Sequence, residues 1–390
     1  MRKGGIPITG DTNTIPNKKS DPSEQNMPRG TYLLMGLITA YLMVFSVVPN
    51  AITAFFAIAL PLAFALAFLG SRFVAIAVGA SAILSLLFAG SLIGAASVVS
   101  TVFIIGMGAV AMLHLKPFVT VLMGIAAYGV SLIFTKDLIV SAYVFQWIPC
   151  AILLAILLAR GANRVTVICA VSAMLVAVSA VPLLIQLYGE YGGLSAATFT
   201  AFFSDLRAEY LQAYLDSLFI LPENIQAVMT EEVFHTAFDT IISLLPAILV
   251  IIANGIAFFA HLLSLILCHK TGYAKRFPLK AQLFIMSKVS AILFIITLLL
   301  PILGLGRSDN ARVITVAAEN INLMLMPAFL LVGGFGVVSF FRRQRGCLNI
   351  WVLLALAFLL LYAGGFVLYA LALFGAFHTL RTPSRLIGDN

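Results

Sequence analysis

Long apolar runs follow one another from Thr31 to Leu380 and are separated by short polar gaps. A helix needs about 17–25 apolar residues to cross a bilayer, where every backbone polar group has to be satisfied within the protein. The pattern therefore predicts an all-α polytopic transmembrane bundle with about eleven spans, within a range of ten to twelve. The runs cover residues 31–49, 51–69, 73–90, 93–115, 118–134, 138–159, 165–188, 240–266, 282–303, 312–341 and 348–376.

Composition agrees with a chain that lies in the lipid bilayer. Hydrophobic residues make up 62% of the sequence and charged residues only 10%, and a soluble domain of this kind would expose large apolar patches to water. The net charge is +8, but the basic residues are spread over several gaps without an interleaved aromatic surface. This distribution argues against nucleic acid as a partner.

The placement of Lys and Arg predicts the orientation, because cytoplasmic loops retain an excess of these residues. The N-terminal tail and every second gap between the apolar runs are rich in basic residues, and together they hold Arg2, Lys3, Lys18, Lys19, Arg29, Arg72, Lys116, Arg160, Arg164, Lys270, Lys275, Arg276, Lys280, Arg342, Arg343 and Arg345. The other gaps hold Lys136, Arg207, Arg307 and Arg312. We therefore expect a cytoplasmic N-terminus.

The C-terminal end leaves two alternatives for the last crossing. Eleven spans place Arg381 and Arg385 outside, against the charge rule, so either one span is miscounted or the tail is an exception. The Gly364-Gly365 pair in the last run also leaves open a broken or re-entrant helix.

The polar and apolar stretches divide the chain into five parts. We expect a disordered cytoplasmic tail at 1–30, an N-terminal transmembrane bundle at 31–188, an acidic extracytoplasmic loop at 189–239, a C-terminal transmembrane bundle at 240–380 and a tail at 381–390.

The loop at 189–239 carries eight carboxylates against the single basic residue Arg207. Its apolar residues recur at helical spacing and predict an amphipathic helix: Phe199, Phe202, Phe203, Leu206, Tyr210, Tyr214, Leu218 and Leu221. The helix either lies on the membrane surface or caps the bundle, or it forms a lid over an outward-facing site. A second helix is expected to begin near Thr230 and to run into the next span.

No metal site is expected. Glu232, His235 and Asp239 share one helix face, but a single such group is weak evidence, and a water-exposed helix face is the favoured interpretation. The four cysteines lie far apart and lack zinc-site or disulfide spacing: Cys150, Cys169, Cys268 and Cys347.

Polar residues inside the predicted spans are the candidates for substrate binding, because they are expensive in hydrocarbon. Glu319, Asn320 and Asn322 lie in the outer third of the tenth run, Asn254 near the middle of the eighth, and Gln146 in the outer half of the sixth. One pocket open to the exterior could hold them all. The alternative is that each makes an ordinary interhelical hydrogen bond.

Other polar and small residues in the spans have simpler interpretations. His261 lies deeper toward the cytoplasm and is expected to be packed or hydrogen-bonded. Small residues at intervals of four, which let helices approach closely, form a strip with Ala77, Ser81, Ser85 and Ala89 and a shorter pair with Gly36 and Ala40. Packing within the chain is favoured over docking on another subunit.

Enzyme signatures are absent from the sequence, so no catalytic residue and no cofactor is predicted. The first functional hypothesis is a membrane subunit that captures or transports a small solute from an outward-facing site. The alternative is a non-transport scaffold or regulator that binds partner proteins through its acidic loop or its small-residue helix faces.

Several sequence features outside the loop resemble the YybS-like family of bacterial multi-pass membrane proteins. They are Pro246, Lys275-Arg276-Phe277-Pro278, Met286-Ser287-Lys288, Arg342-Arg343, and Phe374-Gly375 leading to Arg381, and they lie mainly within 240–385. The resemblance implies a bacterial cytoplasmic membrane. This chain departs from the family in its long acidic loop and in His378, where an acidic residue is expected.

The N-terminal half of that family is similar to the substrate-capture subunits of energy-coupling-factor transporters. The resemblance implies a capture-like bundle over about 31–188, a solute as ligand and a coupling subunit as membrane partner. Gly36 and Ala40 would then correspond to the strip on which such subunits dock.

Overall fold

The computed structural model describes residues 29–67, 92–115, 117–162, 164–218, 228–270, 286–302, 309–345 and 350–381. Within these ranges every regular element is helical, which confirms the all-α prediction. The helices are α1 (Arg29–Val47), α2 (Ala51–Ala67), α3 (Leu92–Leu115), α4 (Pro117–Thr135), α5 (Leu138–Ala142), α6 (Ile148–Ala159), α7 (Arg164–Tyr191), α8 (Ala196–Leu218), α9 (Glu231–Lys270), α10 (Lys288–Ile302), α11 (Asp309–Arg345) and α12 (Ile350–Arg381), and a 3₁₀ segment (Tyr143–Trp147) separates α5 from α6.

Several helices have the length and composition of membrane spans, so the chain is a helical membrane protein. Among the described residues, five segments are long and apolar enough to cross: Ile93–His114, Leu138–Ala159, Arg164–Tyr191, Glu231–Lys270 and Val313–Gly334. Shorter apolar helices cover Leu33–Val47, Ala51–Ala67, Val121–Thr135, Lys288–Leu300 and Gly365–Arg381. The run predicted at 73–90, with its small-residue strip, lies outside the described residues, and the total of eleven spans stays a prediction.

Helix α3 is the centre of the N-terminal bundle and is buried on two faces. One face contributes Phe103, Ile104 and Met107 to a cluster shared with α1, α2 and α4. The other contributes Ile105 and Ala109 to a cluster shared with α6, α7 and α9. Helix α3 carries apolar residues around its whole circumference because other helices pack against it on all sides.

The predicted Gly36 and Ala40 pair is used for packing inside this bundle. A side chain on Gly36 would overlap the end of Met123 from α4, and Ala40 packs against the first buried cluster. These contacts agree with the favoured interpretation of the pair.

Helix α9 joins the bundle to the helices that follow it. Its 40 residues correspond to about 60 Å, twice the roughly 30 Å of hydrocarbon, so its N-terminal turns extend beyond the span. It begins after Thr230, whose hydroxyl accepts the Val233 N–H at 3.4 Å, as predicted. The domain boundary predicted at 239/240 falls inside this continuous helix.

Helices α10, α11 and α12 form a C-terminal trio with its own buried cluster. Helices α11 and α12 touch backbone to backbone, because side chains on Gly333 and Gly375 would overlap the carbonyl oxygens of Leu371 and Phe329. Helix α12 continues through Gly364-Gly365 without interruption, so the alternative of a broken last helix is wrong.

Helix α8 confirms the predicted amphipathic helix in the acidic segment. Phe199, Phe202, Phe203, Leu206 and Tyr214 are half-buried, whereas Asp205, Glu209, Gln212 and Asp216 are exposed. Tyr210 departs from the prediction and is 57% exposed. The helix packs against α7 and α9.

Candidate functional site

The apolar segment Leu138–Ala159 is interrupted in its first half by the 3₁₀ segment. Pro149 explains why a regular α-helix cannot run through, since it has no N–H to give to the Phe145 carbonyl. That carbonyl accepts the Ile148 N–H instead, and Pro149 lies in the first turn of α6, where proline is favoured. A 3₁₀ stretch inside a helix often marks a functional position.

Several hydrogen bonds hold the hairpin before this break. Lys136 takes a left-handed conformation with φ of 55°, and the Asp137 carboxylate caps α5 by accepting the Ile139 and Val140 N–H groups at 2.7 and 3.1 Å. The hydroxyls of Thr135 and Ser141 lie 2.7 Å apart. The α4–α5 turn is therefore a firm support for the interrupted helix.

The 3₁₀ segment is pressed against α4. A side chain on Gly124 would lie 3.0 Å from Ile148 and 3.1 Å from Phe145. The rings of Tyr128 and Phe145 stack with centroids 5.6 Å apart, and Val144 is fully buried. These contacts hold the 3₁₀ segment, which also contains Gln146 and Trp147, against α4.

Polar atoms around this break are buried without a partner. Ser100 on α3 is 1% exposed and Ser131 on α4 is fully buried. Their hydroxyls and the Trp147 indole N–H have no hydrogen-bond partner among the described residues. Leaving such a group unsatisfied costs about 1–3 kcal/mol, so a buried orphan calls for an explanation such as water or a ligand.

The helices that carry the three groups contribute to one buried cluster. Trp147 packs against the cluster that contains Val99 and Ala127; Ser100 follows Val99 in sequence, and Ser131 lies one turn after Ala127. Ser131 is seven residues from Gly124, or about 10 Å along α4. Ser131 and the part of α4 that contacts the 3₁₀ segment therefore lie at different depths of the bundle.

Gln146 is the one sequence-predicted candidate that belongs to this site. It is half-buried within the 3₁₀ segment, which packs against α1, α4 and α7. Asn254 is half-buried on α9, and that helix also lines the N-terminal bundle through Ala253 and Ala257.

Asn320 makes interhelical hydrogen bonds, as the alternative to a binding pocket expects. Its amide oxygen accepts the Ala247 N–H at 3.1 Å, and its amide nitrogen donates to the Ser243 carbonyl at 2.8 Å. In a regular helix these two backbone groups would pair with each other. They flank Pro246 of α9, so Asn320 satisfies backbone groups beside a proline in the neighbouring helix.

Asn322 and Glu319 lie on other faces of α11. Asn322 is 5% exposed and donates to the Phe294 carbonyl of α10 at 3.2 Å, whereas Glu319 is exposed. Helix α11 packs on α9, α10 and α12, and the 3₁₀ segment packs on helices of the N-terminal bundle. The structure therefore places Gln146 and the three α11 candidates in two helix groups.

Ser100, Ser131 and Trp147 were missed as site residues by sequence reasoning. Serine is ordinary in membrane helices, where its hydroxyl usually bonds a carbonyl of the preceding turn, so the sequence carries no signal for an unpaired one. For Trp147 a signal exists: Gln146 and Trp147 precede Pro149 inside an apolar run.

Ion pairs and rings tie α8 to the start of α9. Arg207 pairs with Asp239, and its guanidinium lies 5.2 Å from the Phe238 ring centroid. His235 lies 3.4 Å from Glu231. In the part of the chain that the structure describes, no group of three or more His, Cys, Asp or Glu side chains is arranged to hold a metal ion.

The fold defines the class as a polytopic helical membrane protein, and the chain belongs to the family described as "Predicted membrane protein (DUF2232)". The match covers residues 102–378, which is more than half of the chain and includes the 3₁₀ break. No curated protein and no solved structure matches the chain.

Proposed function

We propose that the protein captures a small solute within its N-terminal bundle, as part of an uptake system in a bacterial cytoplasmic membrane. The observation that carries this proposal is a set of buried, unpaired polar atoms on a broken membrane segment and on the two helices, α3 and α4, that pack against it: Trp147, Ser100 and Ser131. Interrupted membrane helices expose polar backbone and side-chain groups where a solute can use them.

The chemistry of the site favours an uncharged polar group on an apolar or aromatic body. Two hydroxyls, an indole N–H and the Gln146 amide supply donors and acceptors, and the Tyr128–Phe145 stack joins α4 to the 3₁₀ segment. Sites for small molecules combine mainly apolar walls with a few polar anchors in this way. Glu319, Asn320, Asn322 and Asn254 are not needed for this outer site.

The resemblance to substrate-capture subunits supports the same function. The broken segment lies inside the predicted capture-like bundle at 31–188, and the family match includes it. Energy would come from an ion gradient or a separate ATPase, so a coupling subunit is a proposed membrane partner. With the N-terminus in the cytoplasm, the α4–α5 hairpin and α8 lie on the outer side.

The proposal is tested by identifying small molecules that copurify with the protein from native membranes. Native mass spectrometry should find a bound solute in the wild type and lose it in the Ser131→Ala, Trp147→Phe double variant. Ser264→Ala is the matched control, because the Ser264 hydroxyl is already bonded to the Gly106 carbonyl at 3.1 Å. An equal amount of solute in all three proteins, or none in the wild type, would contradict the site.

The scaffold alternative has one supporting observation, the exposed acidic face of α8 at Asp205, Glu209 and Asp216. Deleting residues 195–230 separates the two functions. A scaffold should lose partner proteins in a pull-down while any solute binding persists, whereas a capture subunit covered by α8 should change its solute affinity.

A further inference from the structure

His261 on α9 is the most deeply buried imidazole in the described part of the chain. It is 5% exposed, and neither ring nitrogen has a hydrogen-bond partner among the described residues. The prediction of a packed histidine is correct, but the hydrogen-bonded version is not what the structure shows. A buried ring with two unsatisfied nitrogens is destabilising, and ionisable residues inside membrane bundles mark solute or ion paths.

Asn254 lies on the same face of α9 as His261. The two residues are seven positions apart, which is about 20° short of two full turns and about 10 Å along the helix. Asn254 is half-buried. One face of α9 therefore carries an amide and an imidazole at two successive depths.

The backbone beside His261 is close to α3. A side chain on Gly106 would lie 3.1 Å from the Ala260 carbonyl oxygen, and the Ser264 hydroxyl donates to the Gly106 and Ala260 carbonyls. Ser264 is thus satisfied at the depth where His261 is not. A carbonyl of α3 accepts a hydrogen bond from Ser264, whereas no described residue bonds the His261 imidazole.

Charged and titratable groups occur on α9 itself and on the helices that pack against it. Arg164 lies at the start of α7. The others on the helices packed here are Cys169 of α7, His114 of α3, and Cys268, His269 and Lys270 of α9 itself. Arg164 begins the helix that follows the 3₁₀-containing crossing, at the end opposite the α4–α5 hairpin.

We propose that Asn254 and His261 line an inner binding station, which receives the uncharged hydrogen-bonding group of the solute after it leaves the outer site at Trp147. This inference rests on the proposed function. Imidazole and carboxamide groups both supply donors and acceptors, so the inner station has the same kind of chemistry as the hydroxyls and indole of the outer one. The solute would pass from the 3₁₀ break along α9 toward the Arg164 end.

The test is cysteine accessibility from the two sides of the membrane. In a variant whose four native cysteines are replaced, single cysteines are introduced as Ser131→Cys, Asn254→Cys and His261→Cys. Ala260→Cys is the matched control, because Ala260 is fully buried next to His261 and faces α3. Each protein is reconstituted in vesicles and treated with a membrane-impermeant methanethiosulfonate reagent on one side at a time.

We expect His261→Cys to react from one side only and Ser131→Cys from the opposite side, while Ala260→Cys stays unlabelled. Loss of His261→Cys labelling from both sides, or labelling from the same side as Ser131→Cys, would overturn the inner station. An unlabelled Ser131→Cys beside a reactive His261→Cys would instead count against the outer site and retain the inner one.

A measurement on the unmodified protein guards against variants that fold poorly. Slow deuterium exchange at the imidazole C2 position, read by mass spectrometry, reports water access for each of the five histidines. Exchange at His261, with the exposed His269 beside Lys270 in the last turn of α9 as the reference, supports the station. Complete protection of His261 would show a sealed packing position and overturn it.

Discussion

The N-terminal bundle and the C-terminal trio both bury polar side chains, but among their described residues only the bundle leaves some of these side chains without a hydrogen-bond partner. In the trio, Asn320 and Asn322 are bonded to backbone groups of α9 and α10. In the bundle, Ser100, Ser131 and His261 are as deeply buried and have no partner among the described residues.

The difference separates polar residues that hold helices together from those that are free to bind something else. A hydrogen-bonded amide between helices stabilises one packing arrangement. An unpaired buried group destabilises the fold and is retained where it serves a ligand or a path. Asn320 and Asn322 make the hydrogen bonds that this criterion expects of packing residues, and we propose that the functional groups lie in the bundle.

The largest effect is expected at the glycine crossing of the trio. Gly333→Ala should lower the free energy of unfolding by about 3 kcal/mol, because overpacking forces the two backbones apart. Unfolding in mixed detergent micelles measures it. Gly334→Ala is the control, since a side chain there meets nothing within 4 Å; equal stability of the two variants would contradict the observed crossing.

The next effect concerns the amide beside Pro246. Asn320→Leu should lower the free energy of unfolding by about 2 kcal/mol. Leucine has a side chain of similar shape to asparagine, but the Ala247 N–H and the Ser243 carbonyl lose their hydrogen bonds to the amide. The same unfolding assay applies. A variant as stable as the wild type would show that α9 pairs these groups by itself.

A matched pair of serines tests the bundle directly. Ser264→Ala should lower the free energy of unfolding by about 1 kcal/mol, because two hydrogen bonds are lost. Ser131→Ala removes an unsatisfied hydroxyl and should leave the stability unchanged or raise it. Thermal unfolding of both purified variants gives the comparison. If Ser131→Ala were the less stable of the two, its hydroxyl would have a structural partner and the contrast between the regions would fail.

The smallest effect is expected where α8 meets α9. Arg207→Ala should change global stability by about 0.5 kcal/mol, because the Arg207–Asp239 pair is partly exposed. Local opening is the more sensitive readout: hydrogen exchange within 196–218 should become faster, with Arg160→Ala as a control on an exposed arginine elsewhere. Unchanged exchange would mean that the aromatic contacts alone hold α8.

Much of the helical architecture was predictable, because a membrane span requires a long run of consecutive apolar residues. Such a run can be recognised from the sequence alone. The positions of α3, α7 and the start of α9 after Thr230 agree with the runs and the polar loop. The amphipathic helix α8 could also be predicted, from the spacing of its aromatic residues. The continuity of α12 through Gly364-Gly365 was not, since packing of neighbouring helices decides whether a glycine pair interrupts a membrane helix.

The candidate site was predictable only in part. Gln146 and Asn254 stand out as amides in apolar runs, and the Pro149 signal lies three residues after Gln146. Nothing in the sequence distinguishes Ser131 from Ser264, yet one hydroxyl is unpaired and the other makes two hydrogen bonds.

Sequence by itself determined that lipid surrounds this chain and where most of its apolar helices lie, because hydrophobicity is a local property of the chain. Only the tertiary structure decided which buried polar groups are satisfied. Hydrogen bonding depends on what a neighbouring helix presents at a given depth, as the Pro246 turn does for Asn320, and that neighbour is set by three-dimensional packing.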